Sequence, residues 1–336
     1  MALEPIYLDH NATTPLDPEV LEAMRPHFLA AGNAESRHAA GRRARRAWED
    51  ARETVARILG ASPDEVVFTS GGTEANNQAI FGLAERTPGP GHIVSSPMEH
   101  PAIAEPVARL EADGFLVDRP PVDTEGLASP SRMAACFNDR TRLATLMLAN
   151  NETGAIQPVR ELASLAAGRD IPVHTDAVQA VGRIPVSFHD LGAATLAASA
   201  HKFHGPPGVG LLLIRKGIRL RPWLVGGGQQ QGRRPGTVAV PLAVGLATAL
   251  SRWHDQAGER QRRWAILRDR LEARLITELD TGRVVRNGPA DPSLRLPQTV
   301  NLGFKDLDGD ALLMRLDLAG LAVSLGSACS SGSARP

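Results

Sequence analysis

Short apolar runs, each followed by a turn and then by a stretch of helical spacing, set the rhythm of the first two thirds of this chain. The runs fall at Val66–Phe68, His92–Val94, Phe115–Val117, Leu143–Leu148, Ile171–His174, Thr195–Ala198 and Val209–Ile214. Runs this apolar suit strands buried on both faces. Their alternation with helices predicts an α/β fold around a large, mostly parallel sheet, with ligands held in the loops beyond the strand ends.

The helical stretches carry their own stop and start signals. Asp17-Pro18-Glu19 puts a capping aspartate before a proline at the first helical position. Between residues 36 and 59, Ala40, Ala44, Ala47, Trp48, Ala51, Val55, Ile58 and Leu59 recur at helical spacing, and Gly60 follows as a stop. Ile6–Asp9 reads as a short strand. After Pro241 the pattern changes to one long helical segment over about 240–279, then a strand-like Thr299–Leu302 and a helix through Ala311–Leu313. The change predicts a large domain over residues 16–250 and a smaller α+β domain made of residues 1–15 together with 251–336.

Charge and cysteine usage narrow the partners. The 336 residues carry 37 basic and 37 acidic side chains, so nothing favours a nucleic acid as partner, and a small polar metabolite fits better. The run Arg42, Arg43, Arg45, Arg46 is followed four residues on by Glu49 and Asp50, which predicts a solvated, ion-paired helix face rather than a phosphate patch. The two cysteines, Cys136 and Cys329, are far apart and form neither a disulfide framework nor a metal-ligand pair, so no metal is expected and the compartment reads as reducing. Cys136 is expected to be a buried packing residue. No basic-then-apolar leader and no apolar run of bilayer length is present, and the expectation is a soluble cytoplasmic protein.

The chemistry gathers at the strand ends. Only three lysines, Lys202, Lys216 and Lys305, occur among the 37 basic residues. Lys202 stands between two histidines in Ser199-Ala200-His201-Lys202-Phe203-His204-Gly205, directly after an apolar run. A lysine amine can condense with an aldehyde, which a guanidinium cannot. The loop Thr69–Asn77 has the glycines and helix start of an anion cradle, although an ordinary glycine turn capped by Thr73 would look the same. His100, in Glu99-His100-Pro101, suits proton transfer or stacking on an aromatic ring, or a structural role. Asn150-Asn151-Glu152 offers amide donors. Asp176 and Gln179 lie three apart at a helix start, where the aspartate could hold a cationic ring nitrogen or simply cap the helix. A phosphate cradle, a stacking ring, a counter-charge and an amine at successive strand ends are the parts of a pyridoxal 5'-phosphate site.

The motifs Tyr7-Leu8-Asp9-His10-Asn11-Ala12-Thr13-Thr14-Pro15, Ser70-Gly71-Gly72-Thr73-Glu74-Ala75-Asn76-Asn77, Glu99-His100-Pro101-Ala102, Asn150-Asn151-Glu152-Thr153-Gly154, His174-Thr175-Asp176-Ala177-Val178-Gln179 and Ser199-Ala200-His201-Lys202 occur in this order. Over essentially the whole chain they resemble the cysteine desulfurases of the NifS/IscS type, class V members of the fold-type I pyridoxal-phosphate superfamily. The resemblance implies that Lys202 binds the cofactor aldehyde and moves protons, that His100 stacks on the ring and assists proton transfer, that Asp176 pairs with the ring nitrogen and that Gln179 bonds the phenolic oxygen. It places Gly72, Thr73, Ser199 and His201 at the phosphate and Asn151 beside the ring. Thr237 would reach the phosphate of a neighbouring subunit, implying a homodimer with shared sites.

By the same resemblance Cys329, on the small-residue arm Ser324–Ser333, is the thiolate that attacks the sulfur of an L-cysteine substrate. The implied products are L-alanine and a Cys329 persulfide, passed on to an acceptor protein, scaffold or carrier, in sulfur mobilisation such as iron–sulfur cluster assembly. The chain departs from the family at Gly228-Gln229-Gln230-Gln231, where an acid usually follows the first glutamine, and at Asn33-Ala34-Glu35-Ser36, usually Asn-Pro-Ser-Ser. Family members also continue past Pro336 through an arginine that grips the substrate carboxylate, so the small domain is expected to be truncated here. The alternatives are another class V lyase or aminotransferase, such as one acting on selenocysteine, and a truncated non-catalytic homologue.

Overall fold

In the computed structural model, which describes residues 5–279 and 282–326, the seven apolar runs form one sheet. The chain begins with β1 (Ile6–Tyr7), α1 (Pro18–Leu29) and α2 (Ala39–Ile58). It then alternates through β2 (Val66–Thr69), α3 (Gly72–Ala84), β3 (His92–Ser95), α4 (Pro101–Ala112), β4 (Leu116–Asp118), α5 (Pro130–Ala135), β5 (Thr141–Thr145), α6 (Val159–Ala167), β6 (Val173–Asp176), α7 (Phe188–Leu191), β7 (Thr195–Ser199) and β8 (Gly210–Ile214). After these come α8 (Val240–Glu278), β9 (Val284–Arg286), β10 (Leu302–Phe304), α9 (Gly309–Leu318) and β11 (Leu321–Ala322).

The sheet order is β2-β8-β7-β6-β5-β3-β4, and β8 is the one strand of the seven that runs against its neighbours. Six strands therefore end at the same edge. Every residue of β2, β3, β6, β7 and β8 is buried, the polar His92, His174, Thr175 and Asp176 among them. The edge strand β4 differs: it pairs with β3 alone, and Leu116 is 57% exposed. The run Leu143–Leu148 outlasts β5, its last residues continuing alongside β6 through Leu146 N–H to His174 O and Leu148 N–H to Asp176 O.

Local chemistry sets the helix ends. Asp17 caps α1 by accepting from Glu19 N–H, with Pro18 at the first helical position. The helix expected from residue 36 begins at Ala39, because the His38 ring accepts from Gly41 N–H and takes the cap position. The arginine run of α2 pairs differently from the expected spacing. Arg46 does meet Asp50, 3.9 Å away, but Arg45 turns back to Ala34 O and Glu35, and Glu49 is taken by Arg52. Cys136 is only half-buried, its thiol donating to Arg132 O at the end of α5 rather than lying inside the core.

Late in the chain, α8 runs unbroken across residue 250 and packs on α1 and α2. Its far half is tied to residues 284–296 by a buried ion pair, Arg295 to Glu272 at 2.6 Å, and by Arg268 donating to Leu296 O. The strand expected at 299–302 is displaced to β10, which pairs antiparallel with β9. Strand β9 has too few apolar residues to show in the pattern. Strand β1 pairs in parallel with β11, Ile6 opposite Leu321, so the amino-terminal residues add an edge to the late chain. No helix among the described residues is long and apolar enough to cross a membrane, and none of their side chains form a metal-binding group.

One glycine couples the sheet core to the Lys202 turn. Gly182 has φ +77°, and a Cβ there would lie 2.2 Å from the Cβ of Phe203, the buried residue after Lys202. Gly182→Ala is expected to lower unfolding free energy by about 2–4 kcal/mol, combining left-handed strain with overpacking; chemical denaturation measures it.

Candidate active site

Where the strands end, a cavity of about 210 Å³ opens between the loops. Gly72 and Thr73 come to it from the start of α3, His100 from the cap of α4, Asn151 from the turn after β5, Asp176 and Gln179 from the end of β6, and Ser199, His201 and Lys202 from the end of β7. Nine residues singled out in the sequence thus line one space. Thr237 is exposed and does not line it, and Cys329 lies outside the described residues. A wider cavity of about 590 Å³ near Asp17 and Arg252 holds none of these residues.

At the α3 end the backbone approaches closely because side chains are missing. A Cβ on Gly72 would stand 2.7 Å from Val178 Cγ2, and one on Gly210 would stand 2.6 Å from both Ala198 O and Gly71 C. The second contact brings the end of β7 and the start of α3 together across the reversed strand β8. The first turn of α3 presents N–H groups without intrahelical acceptors and the positive end of the helix dipole, a place for an anion.

The opposite wall is a segment that the sequence shows only as a turn. Lys202 is 6% exposed, and its Nζ donates to Asn11 O and to Ala12 O, the latter at 2.9 Å. Gln179 Nε2 donates to the same Asn11 O at 2.9 Å. Thr14 exchanges bonds with the Lys202 turn, its N–H and hydroxyl both donating to His201 O while the hydroxyl accepts from His204 N–H. Residues 11–14 are thereby laid across the site.

The histidines of the site differ in role. His100 Nδ1 accepts from Ala102 N–H at 3.0 Å, so it caps α4 and fixes the ring plane at once. Burial, and then the Lys202 charge, push His201 down to about 4, so it is neutral at neutral pH. Its Nδ1 pairs with the Thr13 hydroxyl at 3.0 Å, which orients the ring.

Behind Asp176, an amide and a carboxyl group, Asn76 and Glu99, escaped the sequence reading. Asp176, 5% exposed, accepts from Val178 N–H at 2.9 Å and from Asn76 Nδ2 at 2.7 Å. Asn76 in turn meets His174, itself fully buried. Glu99 accepts from Met147 N–H at 3.0 Å and from the Thr145 hydroxyl at 3.3 Å through one oxygen, while the other is buried with no hydrogen-bond partner among the described residues. Burial, and then the nearby Asp176 charge, raise Glu99 to about 8. The available signal was an acid beside His100; Asn76 stands among the polar Thr73, Glu74, Asn77 and Gln78 of α3 and carries no distinguishing mark in the sequence.

The chain belongs to a known family: the sequence profile described as Aminotransferase class-V matches residues 6–335. It is 44% identical over 333 residues to a protein of Dictyoglomus turgidum named "Cysteine desulfurase IscS", covering 98% of this chain and 84% of that one. An "IscS-like cysteine desulfurase" of Mycobacterium tuberculosis is 42% identical over 337 residues, covering 98% and 85%. Among solved structures, one titled "NIFS-LIKE PROTEIN" superposes with a TM-score of 0.89 at 37% identity, over 95% of this chain and 87% of that chain. Another, titled "SspA in complex with cysteine", gives 0.83 at 32% identity, over 98% and 92%.

A protonated Glu99 has a measurable signature. An acid raised on folding contributes stability that is complete below its unfolded pKa and is lost as pH rises through the folded value near 8. Between pH 6 and pH 9 the protein is expected to lose on the order of 2–3 kcal/mol that Glu99→Gln keeps. Urea unfolding of both proteins at the two pH values measures the difference.

Proposed function

We propose that this chain is a pyridoxal 5'-phosphate-dependent cysteine desulfurase that converts L-cysteine to L-alanine and places the sulfur on Cys329. The observation that carries the reading is the meeting of Lys202, Asp176, His100 and the start of α3 in one cavity. These residues fit the cofactor by their chemistry. The α3 turn with Thr73, Ser199 and the neutral His201 would hold the phosphate, Asp176 the ring nitrogen, His100 the ring face, and Lys202 the aldehyde, with Asn151 alongside. Gln179 Oε1, buried and without a hydrogen-bond partner among the described residues, is a polar atom such a ligand would meet.

Bound there, pyridoxal phosphate supplies an electron sink that labilises bonds at the substrate's α and β carbons. The rest falls to the protein. Lys202, gripped by two carbonyls on a buried turn, is positioned to accept and return protons, and His100 is held by its cap bond with its ring fixed at the cavity wall, where it can take part in proton transfer. In the sulfur exchange the Cys329 thiolate forms an S–S bond to the substrate sulfur as the Cβ–Sγ bond breaks. The pair of that bond stays with the carbon, which takes one proton to become the methyl group of alanine, and Cys329 is left as a persulfide.

The reading extends to assembly and context. We take residues 16–250 as the cofactor-binding domain, with 1–15 and 251–336 forming the smaller one. Exposed Thr237, absent from its own chain's cavity, suits a contact with a second subunit's phosphate and hence a homodimer. The persulfide would pass to an acceptor protein of sulfur mobilisation, such as an iron–sulfur scaffold, in the cytoplasm.

The full chain, given pyridoxal phosphate and L-cysteine, is expected to form alanine and a mass increase of one sulfur on Cys329. Cys329→Ala should lose both, whereas persistent turnover in that variant would indicate a different class V lyase. Lys202→Ala should lose the cofactor's protein-bound visible absorbance and reduce alanine formation by roughly 10²–10⁴-fold, as removal of a general acid–base does; visible spectra and amino-acid analysis read the two effects separately.

A further inference from the structure

The carboxylate of Asp176 is the end of a chain of buried hydrogen bonds reaching into the middle of the sheet. Asn76 Nδ2 donates to Asp176 Oδ2 at 2.7 Å. His174 Nε2 lies 3.0 Å from Asn76 Oδ1, and His174 Nδ1 lies 2.8 Å from Thr195 Oγ1. His174 and Thr195 face each other in register across β6 and β7. None of the four side chains is more than 5% exposed.

With Asp176 as a carboxylate, one proton arrangement satisfies this chain. A carboxylate accepts and never donates, so the Asn76 amide nitrogen must face Asp176, and the Asn76 oxygen faces His174 as an acceptor. His174 must then donate from Nε2. Burial pushes His174 down to about 3, so the ring is neutral, and its bare Nδ1 accepts from the Thr195 hydroxyl. Donation therefore runs one way, from Thr195 through His174 and Asn76 to Asp176, and each group is fixed by the one behind it.

We propose that Asn76, locked by His174 and Thr195, is a positioning residue that fixes the plane of the Asp176 carboxylate and favours its ionised form. This rests on the reading of Asp176 as the partner of a cofactor ring nitrogen, and adds an outer half to that site. Charged and titratable groups around Asp176 are Glu99 from the turn before α4, His100, His201 and Lys202 on the cavity wall, and neutral His174 on its own strand.

The test begins without cofactor, on the full chain. With ¹⁵N-labelled histidine, His174 is expected to carry its proton on Nε2 and to show no titration across neutral pH. A proton on Nδ1 would overturn the proposal. Next, the carboxyl carbon of Asp176 is followed by ¹³C NMR. Asn76→Leu removes a donor from the carboxylate and is expected to raise its titration midpoint by about one pH unit, a tenfold gain in proton affinity, and Thr195→Val by less. Finally, pyridoxal phosphate is titrated into each protein, and Asn76→Leu should weaken its affinity about tenfold. An unchanged Asp176 midpoint, in Asn76→Leu or in Thr195→Val should the first variant not fold, overturns the proposal even where thermal stability falls. Failure of the wild-type chain to bind pyridoxal phosphate would count against the cofactor reading, while the Asp176 midpoint would still decide the relay.

Discussion

The close approach of three backbones at Gly71, Ala198 and Gly210 is the constraint on which the site depends. Strand β8 lies between β2 and β7 and runs against both, so β2 and β7 point the same way and finish at the same edge. A side chain on Gly210 would drive the two strand ends apart. Without one, the start of α3 and the Lys202 turn stand close enough to share a ligand. An anion site at a helix end and an amine on a neighbouring turn follow from this single junction, and the other strands add His100, Asn151 and Asp176 in sequence along the edge.

Proton placement then decides what kind of space this is. Two carboxyl groups, Asp176 and Glu99, lie near each other, and burial together with their mutual repulsion keeps Glu99 protonated. Both His174 and His201 are neutral for the same reason of burial, helped at His201 by Lys202. Facing the cavity are the Asp176 carboxyl group at one end and Lys202 at the far wall. That separation suits a zwitterionic heteroaromatic ligand, with a cationic nitrogen at one end and an electrophilic carbon at the other.

Much of this was legible in the sequence because the strands are short and fully buried. A run such as Leu211–Ile214 has no polar face to confuse its period, and each loop after such a run carries its chemistry within a few residues. Lys202, Asp176, His100 and Gly72 were found in this way. What the sequence did not reveal is contact between distant segments: the grip of Asn11 and Ala12 on Lys202 uses backbone carbonyls, which every residue possesses, and so leaves no mark in composition. Asn76 and Glu99 look like ordinary polar residues until their burial is known. The misplaced arginine pairs of α2 have the same origin, since Glu35 and Ala34 compete for Arg45 from outside the helix.

The pairing of β1 with β11 has a bearing on how the protein is made. Among the described residues, Ile6 and Tyr7 find their strand partner in Leu321 and Ala322, far along the chain. Four residues beyond Tyr7 begin the carbonyls that hold Lys202. On the ribosome, the large sheet can close long before that partner has been synthesised, since its strands are contributed by residues 66–214. The segment at Ile6–Tyr7 must wait for residues 321–322 before its strand pairing can form. A nascent chain that has reached residue 214 but not 321 can therefore carry the large sheet while the strand next to the Asn11–Ala12 wall of the lysine pocket is still unpaired.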